Sequence, residues 1–349
     1  MGGICPTLLI KYSNTSLFSL LFFFSCIKMT NEKPNVLILG GVGFIGRHFI
    51  HYLLEHQLAG HIRVADKVLP QTAYLSEQFK QDFKHVEYKQ CNLINPGTLY
   101  SLKTSLFLTR GIASIASCFE DIEFDYVFNF AGETKYSQVP EIYHDRIYNL
   151  SVNCAKEAAK RNVKLFVEMS TAEVYEHSSS PSNEQSRIEP WTIIGKHKYE
   201  AEQALSSIEG LNLIILRPAI VYGPGALTGL NQGIINQHIS SIFNIDTGYH
   251  SHAISAMAKL DLNAVVEIVN EKHLAPWGEL LSKNGISSTP LSPYLDKELL
   301  YNHSLCIDGS KIERETGFSY QVPYLTDDNL IEIMDEFKNL HVWPKQDIQ

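Results

Sequence analysis

The chain has 349 residues, enough for one large domain or two smaller ones, and its 44% hydrophobic content is ordinary for a globular protein. With 29 basic against 38 acidic residues, a formal charge of −9 and no cluster of Lys or Arg, it lacks the electrostatic footprint of a nucleic-acid binder. Six cysteines stand apart without a C-x-x-C pair, and His250 and His252, two apart, share no helix face, so packed thiols and no metal are expected.

The N-terminal stretch carries an apolar run, Leu17 to Ile27, preceded by Lys11. It is too short to cross a bilayer as a helix and falls within the length of a signal-peptide core. Met29 then opens a polar lead, Thr30 to Pro34, directly before the first apolar strand. Residues 1–28 are therefore expected to be an extension outside the fold of a cytoplasmic protein that contacts no membrane. A secretory or membrane-associated signal is the alternative.

Asn35 to Leu39 reads as a buried strand that turns into a helix through Gly40, Gly43 and Gly46, with Phe44 and Ile45 between the last two. Glycines at this spacing give a sharp turn, free approach of backbone N–H groups to a diphosphate, and close packing of helix on strand. Ile45, Phe49 and Leu53 follow as the apolar stripe of the helix. A second strand, Ile62 to Ala65, ends in Asp66, twenty positions after Gly46, where a carboxylate accepts hydrogen bonds from the adenine ribose. An acid there repels a ribose 2′-phosphate, so NAD is expected over NADP, although Lys67 offsets part of the repulsion.

Strand and helix signals continue to alternate, which predicts parallel βαβ units. Val86 to Leu93, Asp125 to Gly132, Lys164 to Ser170 and Leu211 to Leu216 are the next strands, mostly apolar on both faces as expected for central parallel strands. Asp145 to Arg161 is predicted as a helix, with Val152, Ala155 and Ala159 on one face. Leu99 to Ile115 has no clean period and reads as a surface insertion. From about Gly225 the alternation stops. The pattern divides the chain into residues 35–225, a dinucleotide-binding domain, and residues 226–349, a reduced substrate lobe ending in a helix with Leu330, Ile333, Met334 and Phe337 at core spacing.

Several ordered motifs now stand together: the glycine turn, Asn129 to Gly132, Ser170 to Tyr175, Lys198 with Glu202, and Arg217 to Gly225. Over about Asn35 to Tyr320 the chain resembles the extended short-chain dehydrogenase/reductases, in the NAD-dependent epimerase/dehydratase branch that acts on nucleotide sugars. The resemblance implies an α/β fold, a Rossmann doubly wound parallel sheet with a smaller C-terminal substrate lobe. It implies oxidoreductase-type hydride chemistry on a hydroxylated small molecule, possibly a nucleotide sugar, and pairing of two copies through a four-helix interface. Cofactor contacts carried over are Gly40, Gly43, Phe44, Ile45, Gly46, Asp66, Asn92, Leu93, Ala131, Gly132, Lys198 and Pro218. Catalytic positions carried over are Thr171, which polarises the substrate oxygen, Lys198, which holds the ribose and lowers the pKa of a tyrosine, and Glu173, the base of the dehydratases. Pro218 and Tyr222 are expected to wall the nicotinamide pocket.

The chain departs from the family pattern in three places. The tyrosine expected one helical turn before Lys198 is Ile194, which cannot move a proton. The acid that precedes the dehydratase base is Ala172. Beyond Gly225 the family's later His-Val-x-Asp strand has no counterpart. Residues alone leave open an enzyme in which water replaces the phenol, a cofactor-binding protein without turnover, and a variant of a parent enzyme.

Overall fold

The computed structural model describes residues 9–11, 33–95, 114–227, 230–245, 261–300, 305–320, 322 and 324–345. The elements in chain order are β1 (Leu9–Lys11), β2 (Asn35–Leu39), α1 (Phe44–Glu55), β3 (His61–Asp66), α2 (Glu77–Asp82), β4 (Glu87–Gln90), α3 (Ile115–Cys118), β5 (Tyr126–Asn129) and α4 (Pro140–Tyr143). A π-helical stretch, His144–Asn149, leads from α4 into α5 (Leu150–Lys160), followed by β6 (Leu165–Met169), α6 (Ile193–Ser206), β7 (Leu213–Leu216) and β8 (Ile220–Tyr222). The C-terminal part contributes α7 (Leu230–Phe243), α8 (Leu262–Lys283), α9 (Ser310–Thr316) and α10 (Asp327–Asn339).

Six strands form one parallel sheet in the order β4-β3-β2-β5-β6-β7. The chain winds outward from β2 in one direction and then, from β5, in the other. The crevice between the carboxyl ends of β2 and β5 is thus the switch point at which doubly wound sheets take their ligands. Along β2 the side chains alternate between two cores. Val36 and Ile38 pack with Phe49, Ile50 and Leu53 of α1 on one face. Leu37 and Leu39 pack with Cys154, Ala155 and Ala158 of α5 on the other. All four β2 residues are wholly buried, which is why the run lacks polar alternation.

The predicted helix at Asp145 in fact begins at Pro140, because proline fits a first helical position that has no N–H to satisfy. It stops at Arg161, before Asn162 with φ 53°. Most of the predicted insertion lies outside the described residues, and its end, Ile115, opens the buried turn α3. Leu9–Lys11 pairs in parallel with Ile220–Tyr222. The apolar run Leu17 to Ile27 and the pair His250 and His252 lie outside the described residues. Among the described residues no helix is long and apolar enough to cross a membrane.

After β8 the described residues hold helices and a single bridge, Ser182 to Ile307, and no strand. A third core joins Ile235 and Ile239 of α7, Trp277 and Leu280 of α8, Ile333 and Phe337 of α10, and Trp343. Tyr222 belongs to this core at 1% exposure, which corrects the expectation that its ring walls the nicotinamide pocket. It ends β8, which pairs with β1 and not with the six-stranded sheet, and its ring packs among apolar residues far along the chain.

Candidate active site

The turn after β2 is built as glycine chemistry requires. Gly40 has φ +75°, and a Cβ there would lie 2.5 Å from the Ala131 backbone nitrogen across the switch point. A Cβ on Gly46 would lie 2.5 Å from the Gly41 Cα, so α1 packs directly on the turn. Gly43 is exposed at the N-cap of α1, where no side-chain hydrogen bond covers the first amides, and Phe44 and Ile45 begin the helix behind it. The first N–H groups of a helix have no acceptor within the helix itself, so its mouth attracts a diphosphate.

Asp66 ends β3 with its carboxylate turned back to this turn. Its Oδ2 accepts the Val42 N–H at 3.0 Å and its Oδ1 accepts the Val68 N–H at 3.0 Å. Burial pushes the carboxyl above its usual range, against the pull of those two N–H groups and of Lys67. Asn92 and Leu93 follow the end of β4, and Asn92 Oδ1 accepts the Ile94 N–H at 3.2 Å. Asp66 borders one side of the turn, and the β5 tip borders the other. Asn129 Oδ1 accepts the Ala131 N–H at 3.2 Å, and Gly132 is exposed beside it. The cradle fits the adenosine diphosphate half of a dinucleotide.

Lys198 reaches the same crevice from α6. A Cβ on Gly132 would lie 3.5 Å from its Nζ. The ammonium is engaged, however: it donates to the Met169 carbonyl and lies 3.3 Å from Glu168 Oε1. Glu168 is wholly buried in β6 and also accepts from Asn129 Nδ2 at 2.6 Å and from Ser151 Oγ at 2.8 Å. Burial raises its pKa, with Lys198, Asn129 and Ser151 opposing. The sequence reading missed this pair. Its signal was an acid inside a strand covered on both faces, which demands a cation from elsewhere.

Thr171 caps the 3₁₀ turn Ala172–Val174, its Oγ1 accepting the Glu173 N–H at 3.2 Å, and the Pro218 carbonyl accepts the Ala172 N–H at 2.8 Å. Glu173 then points back across the site. Its Oε1 accepts from the Tyr136 phenol at 3.0 Å and its Oε2 from Thr192 Oγ1 at 2.5 Å. Burial raises the Glu173 carboxyl, with the Thr192 and Tyr136 hydroxyls opposing, while burial and the Glu173 charge raise the Tyr136 phenol. Thr192 also caps α6, accepting the Gly195 N–H at 2.9 Å, and Glu298 from the C-terminal part accepts the Ile193 N–H at 3.0 Å. Ile194 is 9% exposed and packs on Tyr143 and Ile147, with Tyr136 alongside. A cavity of about 440 Å³ opens at this helix end between Pro140, Trp191, Thr192, His197 and Glu298.

Thr171, Glu173 and Lys198 thus share one end of the sheet, each already hydrogen-bonded within the protein. Tyr136 and Thr192 join them through Glu173. Arg217 closes the floor: its Nε donates to Glu202 Oε1 at 2.9 Å, its Nη2 to Oε2 at 2.5 Å and its Nη1 to the Tyr175 hydroxyl at 3.0 Å.

Comparison with known proteins places this geometry. The chain is 24% identical over 281 residues to the bifunctional UDP-glucose 4-epimerase and UDP-xylose 4-epimerase 3 of Arabidopsis thaliana, covering 74% of this chain and 76% of that one. Among solved structures, the Bordetella bronchiseptica enzyme WbmG in complex with NAD and UDP superposes with a TM-score of 0.58 at 18% identity, over 90% of this chain and 97% of that chain. Pal from Bacillus thuringiensis matches with a TM-score of 0.48 at 20% identity, over 60% of this chain and 64% of that one. The pattern of the NAD dependent epimerase/dehydratase family matches residues 36–244, more than half of the chain. With the parallel sheet, the glycine turn and the switch-point crevice, that match decides the matter: this chain belongs to the NAD dependent epimerase/dehydratase family.

Proposed function

We propose that this protein holds NAD along the mouth of α1 and across the β2–β5 crevice, takes a nucleotide sugar as its second ligand, and turns over slowly or not at all. On this reading the amides of the Gly40–Gly46 turn, with Phe44 and Ile45, hold the diphosphate, and Asp66 holds the adenine ribose. Asn92 and Leu93 flank the adenine, while Ala131, Gly132, Lys198 and Pro218 meet the nicotinamide half. Bound NAD would supply the hydride acceptor. Thr171 would orient a substrate hydroxyl and Glu173 would act on its proton. Residues 35–225 carry the cofactor and 226–349 the reduced substrate lobe, with 1–28 an extension.

The observation that carries the reading is Lys198, paired with Glu168 while Ile194 stands one turn before it. A positioned general acid or base contributes about a hundred- to ten-thousand-fold, so losing the phenol costs most of the rate. A second reading, proton transfer through Glu173 and Tyr136, is favoured by the phenol resting on that buried carboxylate. The reading places the protein in the cytoplasm, in keeping with the buried thiols of Cys91, Cys118 and Cys154, and pairs two copies.

The test is calorimetry with NAD and then with UDP-glucose, followed by NAD reduction assays on the natural chain and on Ile194→Tyr. Heat with NAD, no reduction by the natural chain and a gain in the variant support the first reading. Reduction by the natural chain that Tyr136→Phe removes favours the second. No heat with NAD overturns both.

A further inference from the structure

Cys91 follows β4 and Cys118 ends α3, and both are wholly buried with their Sγ atoms 2.7 Å apart. This is well inside an ordinary contact between non-bonded sulfurs, and a chain separation of 27 residues means that no local geometry imposes it. Both thiols converge on one acceptor, the Ser114 carbonyl, at 3.1 Å from Cys91 Sγ and 3.6 Å from Cys118 Sγ. Two cations stand at the same helix end. Arg63 Nη1 donates to the Cys118 carbonyl at 2.9 Å, and Lys89 Nζ donates to the Ser117 carbonyl. Cys118 Sγ donates to Cys91 Sγ, and Lys89 and Arg63 favour a thiolate at the pair against burial. At this separation one sulfur can attack an oxidant and the other can resolve the product.

We propose that Cys91 and Cys118 form an oxidisable dithiol, which hydrogen peroxide converts to an intrachain disulfide clamping the end of β4 to α3. One sulfur of the pair, as thiolate, attacks one peroxide oxygen, the O–O bond breaks, and the departing oxygen takes up the thiol proton and leaves as water, giving a sulfenic acid. The other sulfur then attacks the sulfenic sulfur. The S–S bond forms, the S–O bond breaks, and the second oxygen leaves as water. Two thiols lose two electrons and two protons, and one peroxide becomes two waters. Because both sulfurs are closed off, oxidant reaches them when the single turn α3 opens locally. The Cys91 N–H donates to the Asp66 carbonyl at 2.9 Å, and Asn92 and Leu93 follow directly, so the clamp borders the adenosine end of the proposed cofactor site. That placement depends on the cofactor reading, and the disulfide itself does not.

The experiment uses the full chain, reduced, desalted and treated with hydrogen peroxide. Intact mass should fall by two hydrogens, a non-reducing digest should yield one linked peptide pair carrying Cys91 and Cys118, and dithiothreitol should reverse both. Cys154 is also buried near this pair, so Cys154→Ser should keep the link and Cys118→Ser should lose it. An unchanged mass, oxygen added at either thiol without a link, or a link from Cys118 to Cys154 overturns the proposal. The natural chain alone decides this, so a variant that fails to fold does not obscure the result. NAD titration of reduced protein is the separate control: absence of heat there sinks the cofactor reading and leaves the disulfide standing.

Discussion

Replacing Lys198 with Met removes the ammonium and keeps most of the stem. Glu168 then retains only Asn129 Nδ2 at 2.6 Å and Ser151 Oγ at 2.8 Å, with its side chain 1% exposed. Removing one partner of a buried pair costs about 3–5 kcal/mol, because the remaining charge keeps its full desolvation penalty. The sign with pH follows. Burial already holds the Glu168 pKa above its usual range, and loss of the opposing Lys198 moves it further up. A carboxyl whose folded pKa exceeds its unfolded value keeps a proton in the native state that the unfolded chain gives up. Native stability in the variant is therefore greatest below the unfolded pKa, near 4.5, and falls as pH rises toward the folded pKa. Urea unfolding from about pH 5 to about pH 8 on the natural chain, Lys198→Met, Glu168→Gln and the double variant measures both effects. The double variant should recover most of the loss, since a neutral amide replaces the orphaned charge. A loss in Lys198→Met below about 1 kcal/mol with no pH slope, as for an exposed pair, refutes the buried-pair reasoning.

Gly40→Ala places a methyl 2.5 Å from the Ala131 nitrogen at φ +75°, so β2 and β5 must part at their tips. The left-handed backbone alone costs about 1–2 kcal/mol, and NAD affinity by calorimetry should fall about tenfold or more; unchanged affinity would move the cofactor elsewhere. His48, whose Nε2 lies 3.0 Å from the Pro224 carbonyl, has its pKa pushed down from 6.5 to about 4 by burial. Its proton binds the unfolded chain first, so stability is lost as pH drops from about 6.5 toward 4, by about 3 kcal/mol at most. Thermal melts of His48→Gln should show a shallower acid slope than the natural chain, and parallel curves would count against it.

The cofactor half was legible because its constraints are local. Gly40, Gly43, Gly46 and Asp66 each answer to backbone geometry or charge within one βαβ unit, and the apolar runs of β2, β5 and β6 state their own burial. The other half depends on partners distant in sequence. Glu173 finds Tyr136, 37 residues earlier, and Thr192, 19 later, and no periodicity announces either. Tyr222 was misread because its sequence neighbours belong to the Arg217 to Gly225 motif while its ring belongs to the α7, α8 and α10 core. The C-terminal part resisted for a related reason: α8 carries Pro276 inside it and buries Asn270 and His273 beside Trp277, so its sequence lacks one clean apolar stripe.

Lys198 decides between chemistry and binding. A ribose hydroxyl is neutral, whereas Glu168 is a carboxylate in a wholly buried strand, where an ion pair is far stronger than in water. A ligand that drew the ammonium away would leave that carboxylate without its cation, at a cost no single neutral hydrogen bond offsets. Lys198 therefore stays on Glu168 when the crevice fills, and it meets any ligand through its remaining donor capacity near Gly132. A phenol at position 194 would then supply a proton carrier whose lysine is already engaged by Glu168 and the Met169 carbonyl. The activity gained by Ile194→Tyr alone should fall short of that gained when Glu168→Gln accompanies it.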